Sequence, residues 1–204
     1  MVKATLSSHD ELCDLQASHI FELNLPNSQV CRQPIYLVCT NGQRDICCGQ
    51  FGMPLYRELR AHYGDRIWQC SHIGGHRFAP NLLCLPSGLV YGFVTPEQSR
   101  DFVANADNNV LALDQLRGRS CLPAAAQAAE FFIRKELDQT NDCELRINSS
   151  ELEQDRTIIN LTIDGKDFDI GLTQSTWEHH VPASCGAEDK PVTEYSLDFV
   201  RPTL

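Results

Sequence analysis

The feature that most limits what this chain can fold into is a set of metal-ligand residue types between positions 39 and 76. Cys39, Cys47 and Cys48 fall in the segment CTNGQRDICCG, and Cys70, His72 and His76 in CSHIGGHR. Each segment follows an apolar run that reads as a strand, residues 34–39 (PIYLVC) and 67–71. A strand end holds a ligand firmly, and the loop beyond it lets several side chains converge on one ion or cluster.

The surrounding pattern is α/β. Residues 54–63 carry Leu55, Leu59 and His62 at helical spacing, with Pro54 suited to a first turn. Residues 81–94 read as a hairpin turning at Pro86-Ser87-Gly88, and Thr95-Pro96-Glu97 opens a further helix. Strand, helix, strand, hairpin, helix over residues 34–107 is the thioredoxin-like order. Upstream, residues 9–16 predict a short helix and residues 19–25 a strand ended by Pro26. Downstream, residues 124–137 have the strongest helix propensity. Strands are predicted at 143–148, 157–163 and 167–172, with Asp164-Gly165 as a turn between the last two. Residues 173–190 read as loop and 193–200 as a final strand. The expected division is a thioredoxin-like domain over residues 1–114 and an acidic α+β extension, residues 115–204, packed on it.

The donor set admits several readings. His72 and His76 are separated by Ile-Gly-Gly, and paired glycines disfavour a helix while suiting a loop that approaches something bulky. Cys39 and Cys48 bracket a loop containing Arg44, a charge suited to holding thiolates deprotonated. Cys47 and Cys48 compete for one ligand role, and Gly49 favours Cys48 by allowing a close turn. Cys70 is a candidate surrogate ligand. A Rieske domain is excluded, because the second Cys-x2-His half is absent. A structural Cys2His2 zinc site is the alternative to an iron–sulfur cluster. A thiol–disulfide enzyme would need a Cys-x-x-Cys after the first strand, which this chain lacks.

CTNGQRDICCG followed by WQCSHIGGHRFAPNLLCLPSGLVYG resembles the sucrase/ferredoxin-like family, and the likeness continues through residues 116–120, 127–130 and 184–186. The resemblance implies a thioredoxin-like ferredoxin fold carrying a [2Fe-2S] cluster of the bis-histidinyl, non-Rieske type. Its ligands would be Cys39 and Cys48 from the family's earlier cysteine pair, and His72 and His76 from its H-x-G-G-H motif. The expected function is one-electron transfer, coupled to proton transfer at the imidazoles, by an electron carrier rather than a hydrolase. No carbohydrate-cleaving carboxylate pair supports the "sucrase" of the family's name. Two imidazoles in place of two thiolates make the site less negative. They raise its potential from ~-400 mV toward the Rieske range of ~-150 to +300 mV.

Composition narrows the setting. The 204 residues include ten cysteines, and the first residues carry acids where a signal peptide would carry an apolar core. The expectation is a cytoplasmic protein that uses cysteine for metal or redox chemistry rather than a disulfide framework. No apolar run approaches the ~18 residues of a membrane span. The net charge of -10 excludes nucleic acid as the main partner. All of that charge belongs to residues 101–204, with 9 Lys+Arg against 19 Asp+Glu, while residues 1–100 hold 8 of each. The expected partners are redox proteins that present a basic face. Cys185 with His179 and His180 reads as an exposed loop rather than a second metal site. The acidic run 151–155 reads as a solvated loop, and Cys13, Cys31, Cys84, Cys121 and Cys143 as packing cysteines.

Overall fold

Tyr36 and Val38 alternate into the core along β3 (Ile35–Cys39), which also buries Cys39 at its end. This burial makes β3 an interior strand. It pairs in parallel with β4 (Ile67–Cys70), with Cys39 opposite Cys70. On its other side it pairs antiparallel with β5 (Leu82–Leu85). The sheet continues through β6 (Leu89–Tyr91) to β7 (Leu116–Arg119), giving the order β4-β3-β5-β6-β7. The β3–β4 crossover is α2 (Ile46–Tyr63), and α3 (Ser99–Asp107) follows the hairpin. This is the thioredoxin-like order expected from residues 34–107. Leu55 and Leu59 of α2, with Phe102 and Val103 of α3, close one core with Tyr36, Val38, Ile67, Leu82 and Tyr91.

Helix α2 starts eight residues before the predicted position. Its buried residues, Cys48, Gly52, Leu55 and Leu59, recur at three- and four-residue steps from its first turn. Pro54 lies inside the helix rather than in its first turn. Its missing N–H cannot bond the Gln50 carbonyl, and both residues are on the exposed side, where that oxygen is open to solvent. Cys47 and Cys48 are therefore helical rather than loop residues.

The computed structural model describes residues 2–8, 10–14, 28–153 and 156–203. They fall into two compact units, Met1–Pro34 and Ile35–Leu204. In the first, β1 (Val2–Ala4) pairs antiparallel with β2 (Ser28–Val30), and α1 (Asp10–Cys13) occupies part of the predicted 9–16 helix. The strand expected at residues 19–25 lies outside the described residues.

Within the second unit, α4 (Ala124–Glu136) covers a four-stranded antiparallel sheet. Its strands are β8 (Leu145–Glu153), β9 (Arg156–Ile163), β10 (Lys166–Thr176) and β13 (Thr193–Pro202), in the order β13-β10-β9-β8. Two short strands, β11 (Val181–Pro182) and β12 (Asp189–Lys190), interrupt the loop before β13. Ala129 and Ile133 pack on Ile159, Leu161, Ile163, Phe168, Ile170 and Leu172, so this sheet has its own core. The turn at Asp164-Gly165 is where the sequence placed it, between the paired residues Ile163 and Lys166. Glu151, Leu152 and Glu153 belong to β8 rather than to a loop. All three are exposed, and their charge falls on an outer strand of the sheet.

A charged network ties β7 of the first sheet to α4. Glu130 is fully buried and accepts from Arg119 Nε at 2.9 Å and from Arg134 Nε at 3.0 Å. Arg134, also fully buried, donates to the Asn141 carbonyl, and Arg119 Nη2 donates to Asp142. Removing the acid takes away the carboxylate that both guanidiniums share and leaves them only that of Asp142. Glu130→Ala is expected to lower stability by about 3–5 kcal/mol, measured as a shift of the urea midpoint. A midpoint within error of the unsubstituted protein would show that the network does not hold the two layers.

Candidate metal centre

Three chain segments converge at the carboxyl end of β3. Cys39 is its last residue, Cys48 lies in the first turn of α2, and His72 is two residues beyond β4. Two glycines set the approach of α2. A Cβ at Gly52 would lie 2.0 Å from the Cys39 carbonyl oxygen, and one at Gly49 would lie 2.8 Å from Gly42 Cα. Gly49 thus serves close packing of helix on loop, not the turn expected of it. The result is that the donor atoms of Cys39, Cys48 and His72 all lie within 4.8 Å of one another. Cys48 Sγ is 3.7 Å from His72 Nδ1.

Both sulfurs are fully buried. Burial above all, then the hydrogen bond to Cys39 and the charges of Cys39, Asp45 and Cys47, push the Cys48 thiol up to about 12. A buried pair of thiols beside an acid ionises only when a cation offsets the charge, which is what a bound metal supplies. The donor chemistry, soft thiolate with imidazole, suits zinc or an iron–sulfur cluster and not a hard cation.

The protein's own cation here is Arg117 on β7. Its Nη1 donates to Asn81 Oδ1 at 2.8 Å and to the Gly74 carbonyl at 3.3 Å, and Asn81 Nδ2 donates to the Gly75 carbonyl. Burial, then the charge of Arg77, lowers the Arg117 pKa, while Cys48 and Cys39 act to raise it. Arg44, which the sequence suggested for holding the thiolates deprotonated, has an exposed side chain. The Arg117 guanidinium shapes the His72–His76 loop. A Cβ at Gly75 would meet Arg117 Nη2 at 2.3 Å, and Gly74 and Gly75 take φ values of 84° and 66° that disfavour other residues.

His76 opens a single 3-10 turn, His76–Phe78, and is 6% exposed. Its Nε2 lies 3.0 Å from the Pro182 carbonyl, so that nitrogen carries the proton and donates. Its Nδ1 faces Cys185 Sγ at 3.5 Å, and Cys185 Sγ lies 3.2 Å from Cys47 Sγ. Cys47, His76 and Cys185 form a second group of donors within 4.8 Å. Of the four ligands expected from the sequence, Cys39, Cys48 and His72 are gathered in one group, and His76 stands in the other.

Asp45 links the two groups. Its position before α2 is that of a capping residue, yet its carboxylate makes no cap. Instead Oδ1 accepts from Ser184 Oγ and from the Cys185 N–H, each at 2.6 Å, and Oδ2 lies 3.4 Å from His72 Nδ1. Burial alone would raise its pKa. The hydrogen bonds from Ser184 and Cys185, with the charge of His76, bring it down to about 2.

The remaining cysteines depart from the sequence reading in part. Cys185 meets Cys47 and His76, while His179 and His180 are exposed. Its only sequence signal was the Ser184-Cys185-Gly186 segment of the family resemblance. Cys70, opposite Cys39 in the ladder, joins neither donor group among the described residues. Burial and then the charge of Cys39 push its thiol up to about 11. Cys13 and Cys121 are exposed and so do not pack, whereas Cys84 is buried as expected.

Asp45→Ala removes the acceptor that fixes the 184–187 turn. Hydrogen bonds to a charged group contribute about 1.5–3 kcal/mol each, so amide exchange at Cys185 is expected to quicken at least about tenfold. Asp45→Asn, which keeps one carbonyl acceptor, is expected to fall between. Unchanged exchange at Cys185 in Asp45→Ala would show that the turn is held by other contacts.

Comparison with known proteins places this site in context. The model of the family described as Sucrase/ferredoxin-like matches residues 2–118, more than half of the chain. Altered inheritance of mitochondria protein 32 of Meyerozyma guilliermondii is 31% identical over 97 residues, covering 41% of this chain and 34% of that protein. The protein of the same name from Debaryomyces hansenii is 35% identical over 74 residues, covering 31% and 27%. The chain thus matches about a third or less of the length of these curated relatives. Among solved structures, a thioredoxin-like [2Fe-2S] ferredoxin from Aquifex aeolicus aligns with a TM-score of 0.39 at 14% identity. That alignment covers 46% of this chain and 97% of that one. By the extent of the family match, the chain belongs to the sucrase/ferredoxin-like family.

Proposed function

We propose that the protein is a one-electron redox protein carrying a [2Fe-2S] cluster on Cys39, Cys48, His72 and His76. The observation that carries this reading is the convergence of two buried cysteines and His72 at one strand end, with donor atoms within 4.8 Å. Four residues beyond His72, His76 brings an imidazole whose Nε2 donates to the Pro182 carbonyl and whose Nδ1 faces Cys185 Sγ at 3.5 Å. When bound, such a cluster supplies a reversible one-electron couple. The chain's residues do the rest. Cys39 and Cys48 hold their ligand as thiolates, and Arg117 offsets that negative charge from β7. Asp45 fixes the 184–187 turn beside His76. His76 keeps a proton on Nε2 by donating it to Pro182, whereas His72 is 21% exposed in its side chain. Proton exchange coupled to the redox step belongs, in this reading, to the imidazoles of the cluster ligands.

In this reading the ferredoxin domain expected over residues 1–114 runs on through β7, and the residues beyond it serve as an acidic extension. The extension offers partners a negative surface, and the partners are redox proteins with a basic face. The protein works in the cytoplasm, where a reducing poise keeps its thiols reduced. Among the described residues, no helix is long and apolar enough to cross a membrane.

Metal content and two variants test the assignment. Anaerobically purified protein is expected to be coloured, with iron and acid-labile sulfide in equal amounts. Cys48→Ser is expected to lose both, and Cys47→Ser to keep them. Colourless protein with one bound zinc would replace the cluster by a structural site. Loss of iron in Cys47→Ser with retention in Cys48→Ser would reverse the ligand register.

A further inference from the structure

Cys47 and Cys185 lie outside the proposed ligand set, yet their sulfurs are 3.2 Å apart across 138 residues of sequence. We propose that they form a reversible dithiol/disulfide pair beside the metal centre, oxidised by exchange with low-molecular-weight disulfides such as glutathione disulfide. The pair includes none of the four proposed cluster ligands, although Cys185 Sγ lies 3.5 Å from Nδ1 of one of them, His76.

Both partners are anchored before any bond forms. Cys47 sits in the first turn of an 18-residue helix. Cys185 is fixed by its own N–H on Asp45 Oδ1, and Ser184 by its hydroxyl on the same oxygen. A disulfide of ~2.04 Å requires the two sulfurs to close by only about 1.2 Å. Both cysteines are half-buried, so each keeps some exposure to a small disulfide. The adjacent Cys48 is turned away, its sulfur gathered with Cys39 and His72.

The exchange balances with one molecule of glutathione disulfide. The thiolate of one cysteine attacks a glutathione sulfur, forms a mixed disulfide and expels one glutathione thiolate. The second cysteine attacks the protein-side sulfur of that bond and expels the other glutathione. Two electrons pass from the cysteine pair to glutathione disulfide, and the two cysteine protons end on the two released thiols. The new bond fastens the 184–186 turn to α2. It thereby fixes Cys185, and with it the chain that bears the Pro182 carbonyl, against His76. Oxidation of the pair thus locks the covering of one proposed ligand, and reduction releases it.

The test treats the full chain, purified anaerobically, with oxidised glutathione and digests it with trypsin without reduction. A cross-linked species is expected between the peptide of residues 45–57 and the peptide that carries Cys185. It should disappear in Cys47→Ser and in Cys185→Ser, and dithiothreitol should separate it into its two free peptides. Both variants are expected to retain the iron content of the unsubstituted protein. A glutathione adduct on either cysteine without the cross-link would overturn the proposal. So would a cross-link that survives in Cys47→Ser, because it would run through Cys48. Loss of iron in Cys185→Ser would also overturn it, since that sulfur would then be a metal ligand. A cross-link formed in protein that binds no iron would leave the pair standing and remove only the cluster reading.

Discussion

The seating of α2 on the end of β3 is the contact on which the site depends. Gly52 admits the Cys39 carbonyl where any side chain would collide with it, and Gly49 admits the loop at Gly42. A helix held off by even one methyl group would carry Cys48 away from Cys39 and His72. The parallel β3–β4 ladder provides the second fixed edge, with Cys39 opposite Cys70 and His72 two residues further on. Backbone packing therefore positions the donors, and the side chains need only point inward.

Electrostatics then decides what those donors can hold. Burial above all, then Cys39 beside it and the charge of Asp45, pushes the Cys48 thiol up. Arg117 is held by Asn81 and the Gly74 carbonyl, and the charges of Cys48 and Cys39 act on it. Asp45 remains ionised because Ser184 and Cys185 donate to it. A segment nearly 140 residues downstream is in this way tied to the start of α2. The C-terminal layer is fastened to the same sheet at Arg119, next but one to Arg117 on β7, through Glu130 and Arg134.

Much of this was legible in the sequence, and the failures have physical causes. The strand–helix–strand–hairpin–helix order followed from apolar runs and turn residues, because those signals are local. So did α4 and the Asp164-Gly165 turn. The start of α2 did not, because Pro54 is a strong first-turn signal and its cost in mid-helix is absorbed on a solvated face. β7 also escaped notice: an Arg-Gly-Arg strand carries no alternation, and its role comes from a buried ion network that only the fold assembles. Cys39, Cys48, His72 and His76 stood out by residue type and by family resemblance. Cys185 and Arg117 could not be placed by spacing, since their relation to the site is set wholly by long-range packing.

Two imidazoles and two thiolates are proposed to hold one [2Fe-2S] cluster at this strand end. Pulsed electron paramagnetic resonance of the reduced protein, grown with natural-abundance and with 15N-labelled histidine, addresses it directly. The account requires couplings from two directly bound histidine nitrogens that change with the label, one of which vanishes in His72→Cys and the other in His76→Cys. A paramagnetic signal whose nitrogen couplings ignore the histidine label would contradict it.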